Sequence, residues 1–149
     1  MSGQRLETLL LAGLFALLVW LAPEHHATQG VPRLFHLSPD EVEELVLEED
    51  GRSHVFLRPD DGWLSGGIAE ESVFWVLWEL SSLRNDLVPV DQPHPQVRTL
   101  RWKMGGHWEE VGLGRLGADR LVTLHTDGKI LWAPGELMDR VRDLTSGSP

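Results

Sequence analysis

The sequence predicts an α+β fold: an N-terminal transmembrane helix followed by a β-hairpin, a central amphipathic helix, an antiparallel β-meander and a C-terminal helix. Three observations carry that expectation. Residues 8–23 form an uncharged apolar run, and the stretch from Ala69 to Asn85 has clear helical periodicity. Asp50-Gly51 and Asp127-Gly128 each separate two short apolar runs, as tight hairpins require.

The chain has 149 residues, room for one ordinary domain and a short appendage. Its formal net charge of −10, with thirteen scattered Lys and Arg, argues against nucleic acid or anionic lipid head groups as main partners. Cysteine is absent, which excludes a disulfide framework, a thiolate zinc site and a thiol nucleophile. Seven Trp and no Tyr concentrate contact area in few residues and suit an interface as well as a core.

Residues 1–23 read as a membrane anchor. Leu9, Leu10, Leu11, Leu14, Phe15, Leu17, Leu18, Val19 and Leu21 together favour insertion by roughly 3–5 kcal/mol, and Trp20 sits where an interfacial anchor belongs. A cleaved secretory signal fits less well, because Pro23 directly follows Ala22 and no clean Ala-x-Ala motif occurs further on. Arg5 before the run, with mostly acidic or neutral residues after it, places the N-terminus in the cytoplasm and residues 39–145 on the outer side of the membrane. Residues 24–38, with His25, His26, Gly30 and Pro32, read as a linker, and 146–149 as a flexible tail.

Ser38-Pro39-Asp40-Glu41 resembles a capping box that opens a single helical turn. Leu45–Leu47 and His54–Leu57 flank Asp50-Gly51 as a hairpin, and Trp63-Leu64 is expected as a short third strand. Beyond the central helix, Leu87–Val90 is extended and Gln92-Pro93-His94-Pro95 is linker-like. Leu100, Trp102 and Met104 alternate with Arg101 and Lys103 on a half-buried strand, and Gly105-Gly106 turns the chain. Trp108–Leu113 returns, Leu121–Thr126 pairs with Ile130–Ala133, and Leu137, Val141 and Leu144 mark the last helix.

On the central helix Val73, Val76, Leu77, Leu80 and Leu83 fall on one side, wide enough to cover a sheet. Phe74, Trp75 and Trp78 project from the other side. Two arrangements account for them. Either the helix is sandwiched between the hairpin block and the meander, so that both faces are core, or the three aromatics present roughly 300–500 Å² of apolar surface to a partner.

Other candidate chemistry is weak. Gly112-Leu113-Gly114-Arg115-Leu116-Gly117 matches the dinucleotide fingerprint, yet a strand pattern follows it where a helix should begin. His107, His125 and Glu109 could form a metal site only if neighbouring strands bring them to one face. Glu43, Glu44, Glu48, Glu49 and Asp50 lie on a hairpin edge and not in a cleft, and Ser65, Ser72, Ser81 and Ser82 lack an elbow motif. No cofactor is expected and no catalytic residue is assigned.

The order of these elements is itself a signature. A strand hairpin around Asp50-Gly51, a Gly62-Trp63-Leu64 step, a helix ending in LSSLRND and a meander closing in KILWAPGELMDRV resemble the DUF4340 family of bacterial membrane-anchored extracytoplasmic domains. The likeness spans Glu44–Leu64, Ala69–Val88 and Leu100–Leu144. It implies architecture more than activity, although some members sit beside ABC-transporter components. The chain departs from the family in being short and in carrying Trp75 and Trp78 where small or polar residues are usual. The expected function is therefore a non-catalytic accessory or scaffold subunit that docks on other integral membrane protein subunits of a transporter, respiratory or photosynthetic complex. The alternative is a module binding peptide, glycan or lipid, with Trp102, Trp108 and Trp132 as stacking surfaces.

Overall fold

A computed structural model describes residues 2–21 and 30–146, which belong to two compact units, Met1–Pro32 and Arg33–Pro149. The expectations for Pro23, His25 and His26 concern residues outside those described. In the first unit, helix α1 covers Ser2–Leu21. Among the described residues no helix is long and apolar enough to cross a membrane, which corrects the expected transmembrane helix. The reason is length. Gln4, Arg5, Glu7 and Thr8 occupy the first turns, and the apolar part of the helix from Leu9 to Leu21 measures about 20 Å at 1.5 Å per residue, against a hydrocarbon core of about 30 Å. The side chains of Leu9, Leu10, Leu11, Leu14, Phe15 and Leu17 are exposed on this helix.

The second unit is built on strands β1 (Val42–Glu49), β2 (Arg52–Leu57), β3 (Arg98–Met104), β4 (His107–Leu116), β5 (Leu121–Thr126) and β6 (Lys129–Pro134). Helix α2 covers Ile68–Ser82 and α3 covers Glu136–Ser146. Three of the turns follow directly from sequence. At Asp50-Gly51, Gly105-Gly106 and Asp127-Gly128 both central residues have positive φ, between 48° and 79°, the conformation that matches the twist of a two-residue hairpin.

Hairpin and meander are not two blocks. β1 pairs antiparallel with β3, setting Leu45 against Trp102 and Leu47 against Leu100, so that all strands form one sheet in the order β2-β1-β3-β4-β5-β6. This removes the sandwich arrangement, since both halves lie on the same side of α2. The inward residues of the sheet, among them Leu45, Leu47, Leu100, Trp102, Val111, Leu113, Val122 and Leu124, form one cluster with Val73, Val76, Leu77 and Leu80 of α2 and with Leu137, Met138, Val141 and Leu144 of α3. Phe35 and Leu37, in the stretch read as linker, join the same core.

Trp63 departs from the expected third strand. Residues Trp63–Ser65 form a 3-10 turn in which the buried indole donates from Nε1 to the Val42 carbonyl at 3.2 Å, beside the bulge between Val42 and Glu44. A buried indole N–H needs an acceptor, and a turn can aim it where a strand cannot. α2 also stops earlier than Asn85. The hydroxyls of Ser81 and Ser82 both donate to the Trp78 carbonyl at 2.8 Å, and Leu83 leaves in an extended conformation.

The two sides of α2 differ sharply. Leu77 is fully buried, whereas Trp78 is 51% exposed. Leu77→Ala is therefore expected to cost about 2–5 kcal/mol in urea denaturation, and Trp78→Ala no more than about 1 kcal/mol. Equal costs at the two positions would show that Trp78 is core.

Candidate functional site

Positions 74, 75 and 78 fall within about 100° of arc on α2, and the structure brings their rings together. Phe74 meets Trp75 edge-on at 5.3 Å and stacks with Trp78 at 6.3 Å and 24°. Phe74 and Trp75 are half-buried, and no second layer of described residues covers Trp78. Trp75 is held from both ends: its Nε1 donates to Glu71 Oε1 at 3.4 Å, and the Arg140 guanidinium of α3 lies 5.2 Å over its ring. Arg140 also approaches Glu79 at 4.0 Å. Trp75 is thus braced on two sides, which limits the side-chain entropy it would lose on contact, and Phe74 links it to the exposed Trp78.

Trp75 has a second neighbourhood. A groove of about 590 Å³ lies between α2, α3 and β2, bordered by the apolar side chains of Phe56, Ile68 and Trp75 and by the charged ones of Glu71, Arg140 and Asp143. Nothing in the helical period alone exposes this groove, because it depends on where β2 lies relative to both helices.

The other tryptophans do not assemble into a stacking surface. Trp102 is fully buried under the helical layer, edge-on to Phe35 at 5.4 Å, with no acceptor for its Nε1 among the described residues. Trp108 lies on the opposite, open face of the sheet, with Arg101 at 5.1 Å from its ring. Trp132 is on that open face too, but β5 separates β6 from β4.

The glycine motif has a packing role. β4 runs through Gly112 and Gly114 as strand, and the segment Pro95–Val97 crosses its open face, with Val97 N–H donating to the Leu113 carbonyl at 2.8 Å. A Cβ on Gly112 would fall 2.2 Å from Gln96 Cδ, and one on Gly114 would fall 1.9 Å from Thr123 Oγ1. Both glycines permit close approach of protein to protein, not of a phosphate.

The conditional metal site is not formed. Register puts His107 opposite Met104 and His125 opposite Gly112, so the two imidazoles lie on different faces of the sheet. Several acidic residues are committed elsewhere: Glu49 pairs with Arg98 at 2.7 Å and Glu48 with Arg101 at 3.2 Å. The hydroxyls of Ser65, Ser72, Ser81 and Ser82 all donate to backbone carbonyls.

Sequence reading missed one cluster. Beneath the 92–97 crossing, His94 meets Trp132 edge-on at 5.2 Å, and His125 Nε2 lies 3.3 Å from Thr123 Oγ1. The Gln92–Pro95 stretch carries no periodicity that would have shown this docking. Burial chiefly, and then the charge of His94, lower the pKa of His125 below its ordinary value. A histidine with a depressed folded pKa leaves stability intact above its unfolded pKa, about 6.5, and loses it progressively as pH falls from there through the lowered folded value, because the unfolded chain binds the proton more readily. The unfolding midpoint should therefore fall as pH is lowered from about 7.5 to about 5.5, and His125→Gln should flatten that decline. An equally steep decline in the variant would contradict the assignment.

Comparisons with protein-family models, with curated proteins and with solved structures find no match to this chain.

Proposed function

We propose that this chain is a non-catalytic docking subunit whose α+β domain binds a larger protein assembly through Phe74, Trp75 and Trp78. The observation that carries this reading is the half-exposed Trp78, stacked on Phe74 at the rim of an aromatic cluster braced at Trp75. Clustered Trp and Phe on a rigid element supply the anchors that dominate protein interfaces. Exposed apolar side chains on α1 give the chain a second surface suited to burial in the same assembly. The resemblance to DUF4340 domains supports an accessory place in a bacterial envelope complex. The committed carboxylates and serine hydroxyls favour docking over catalysis.

The test is gentle purification of the tagged chain from its native cells, with co-purifying chains as the readout. Wild type should elute with a partner at fixed stoichiometry. The double substitution Trp75→Ser and Trp78→Ser should elute alone, while its circular dichroism stays native and its stability falls by no more than about 2–3 kcal/mol, mostly from the lost Trp75 contacts. A wild-type chain that elutes as a lone monomer would overturn the reading.

A further inference from the structure

The two edges of the sheet are treated differently. Along β6, residues 88–90 add a short extended piece: Val90 N–H donates to the Ile130 carbonyl at 2.8 Å, and Trp132 N–H to the Val88 carbonyl at 2.9 Å. Along β2 no described residue pairs with the outer edge. The two-residue turn at Asp50-Gly51 and the Arg58 N–H bond to the Glu43 carbonyl, 2.9 Å, fix which groups are spent. Residues 52, 54, 56 and 58 turn their backbone toward β1, so Ser53, Val55 and Leu57 point their N–H and C=O groups outward.

Among the described residues the centre of this edge lacks the usual protection, its charges standing only at the ends, Arg52 and Arg58. An unpaired strand is normally blunted by a central charge, a proline or a covering loop, yet Val55-Phe56-Leu57 runs without any of them. Its side chains are apolar on both faces. Val55 and Leu57 are 56% and 66% exposed on the open side of the sheet. On the helical side, Phe56 borders the 590 Å³ groove together with Trp75 and Ile68, the latter 85% exposed.

We infer that the outer edge of β2 takes an extended segment of a partner protein by strand addition, with alternate apolar side chains entering the groove beside Phe56, Ile68 and Trp75. The inference rests on the docking function proposed above and names the form of the partner. Three features select this occupant. The outward N–H and C=O groups of Ser53, Val55 and Leu57 match an extended backbone and no other ligand. A six-residue edge, about 20 Å long, is small beside the roughly 800 Å² per copy of a stable dimer interface, but a single strand can fill both of its sides. A second copy paired about Val55 would also set Arg52 against Arg58, opposing like charges. Within residues 52–58 the only full charges are Arg52 and Arg58, and the Arg58 guanidinium also donates to the Asp40 carbonyl; a segment with an acidic residue at each end meets a cation at each end of this edge, Arg52 more freely than Arg58.

The test is amide exchange by NMR on the full chain with the synthetic peptide Glu-Thr-Val-Ile-Val-Thr-Glu and with the same peptide N-methylated at alternate residues. The unmethylated peptide at about 1 mM should slow exchange of the Ser53, Val55 and Leu57 amides about tenfold or more, and the methylated one should not. Val55→Pro, which removes an outward N–H and no β1 bond, should abolish the protection while the remaining amides keep theirs. Unchanged exchange at these three amides with both peptides overturns the inference. The two proposals fail separately. If Val55→Pro keeps its native assembly while the Trp75 and Trp78 variant loses it, the aromatic face stands and strand addition does not. If the peptide protects the edge but the tryptophan variant keeps its assembly, the edge stands and the aromatic face fails.

Discussion

The packing of one aliphatic stripe against one sheet governs this molecule. Val73, Val76, Leu77 and Leu80 of α2 are fully buried in a cluster with Leu45, Leu47, Leu100 and Trp102, residues that β1 and β3 place side by side. Each such side chain contributes about 1.5–3 kcal/mol on leaving water. The contact does more than stabilise. α2 connects β2 to β3, and its position over the β1–β3 seam lets the hairpin and the meander share one sheet. Once both halves lie on one side of the helix, its other side has no layer to meet. The exposure of Trp78 is therefore a consequence of topology, because a sandwiched helix would have buried it.

Local chemistry was legible in the sequence, and long-range pairing was not. Asp-Gly and Gly-Gly turns announced three hairpins because few residue pairs tolerate two successive positive φ values. The aliphatic stripe and the aromatic face of α2 were both readable from a 100° period, residue by residue. Whether the aromatic face was open depended on β1 pairing with β3, residues some fifty positions apart, and no local pattern encodes that register. Trp63 was misread for a similar reason, since its turn is set by an acceptor twenty-one residues away. The N-terminal helix was misread on composition: leucine content suggested a span, while the polar first turns leave too short an apolar run. The groove and the β2 edge were invisible until three elements were in place.

The two faces of the sheet carry different chemistry. Away from Val55 and Leu57 at the β2 edge, the open face is largely polar and cross-linked, with Glu48 against Arg101, Arg101 over Trp108 and His125 near Thr123. Part of it is sealed by the 92–97 crossing, which Gly112 and Gly114 allow to lie close. The helical side holds the exposed aromatic surface around Trp78. Trp75 belongs both to the aromatic cluster and to the groove beside β2, so the two proposed contact regions are continuous through one braced side chain. A partner engaging both would gain from two modest contacts what neither supplies alone.

The most direct measurement of the central claim is hydroxyl-radical footprinting of the tryptophans, in intact native cells and in the purified chain. Buried Trp63 and Trp102 serve as internal references, since both are shielded by the fold itself. The account predicts that Trp78 oxidises readily in the purified chain and is protected about fivefold or more in cells, as a docked aromatic anchor would be. Equal oxidation of Trp78 in both settings would contradict a docking role for this face.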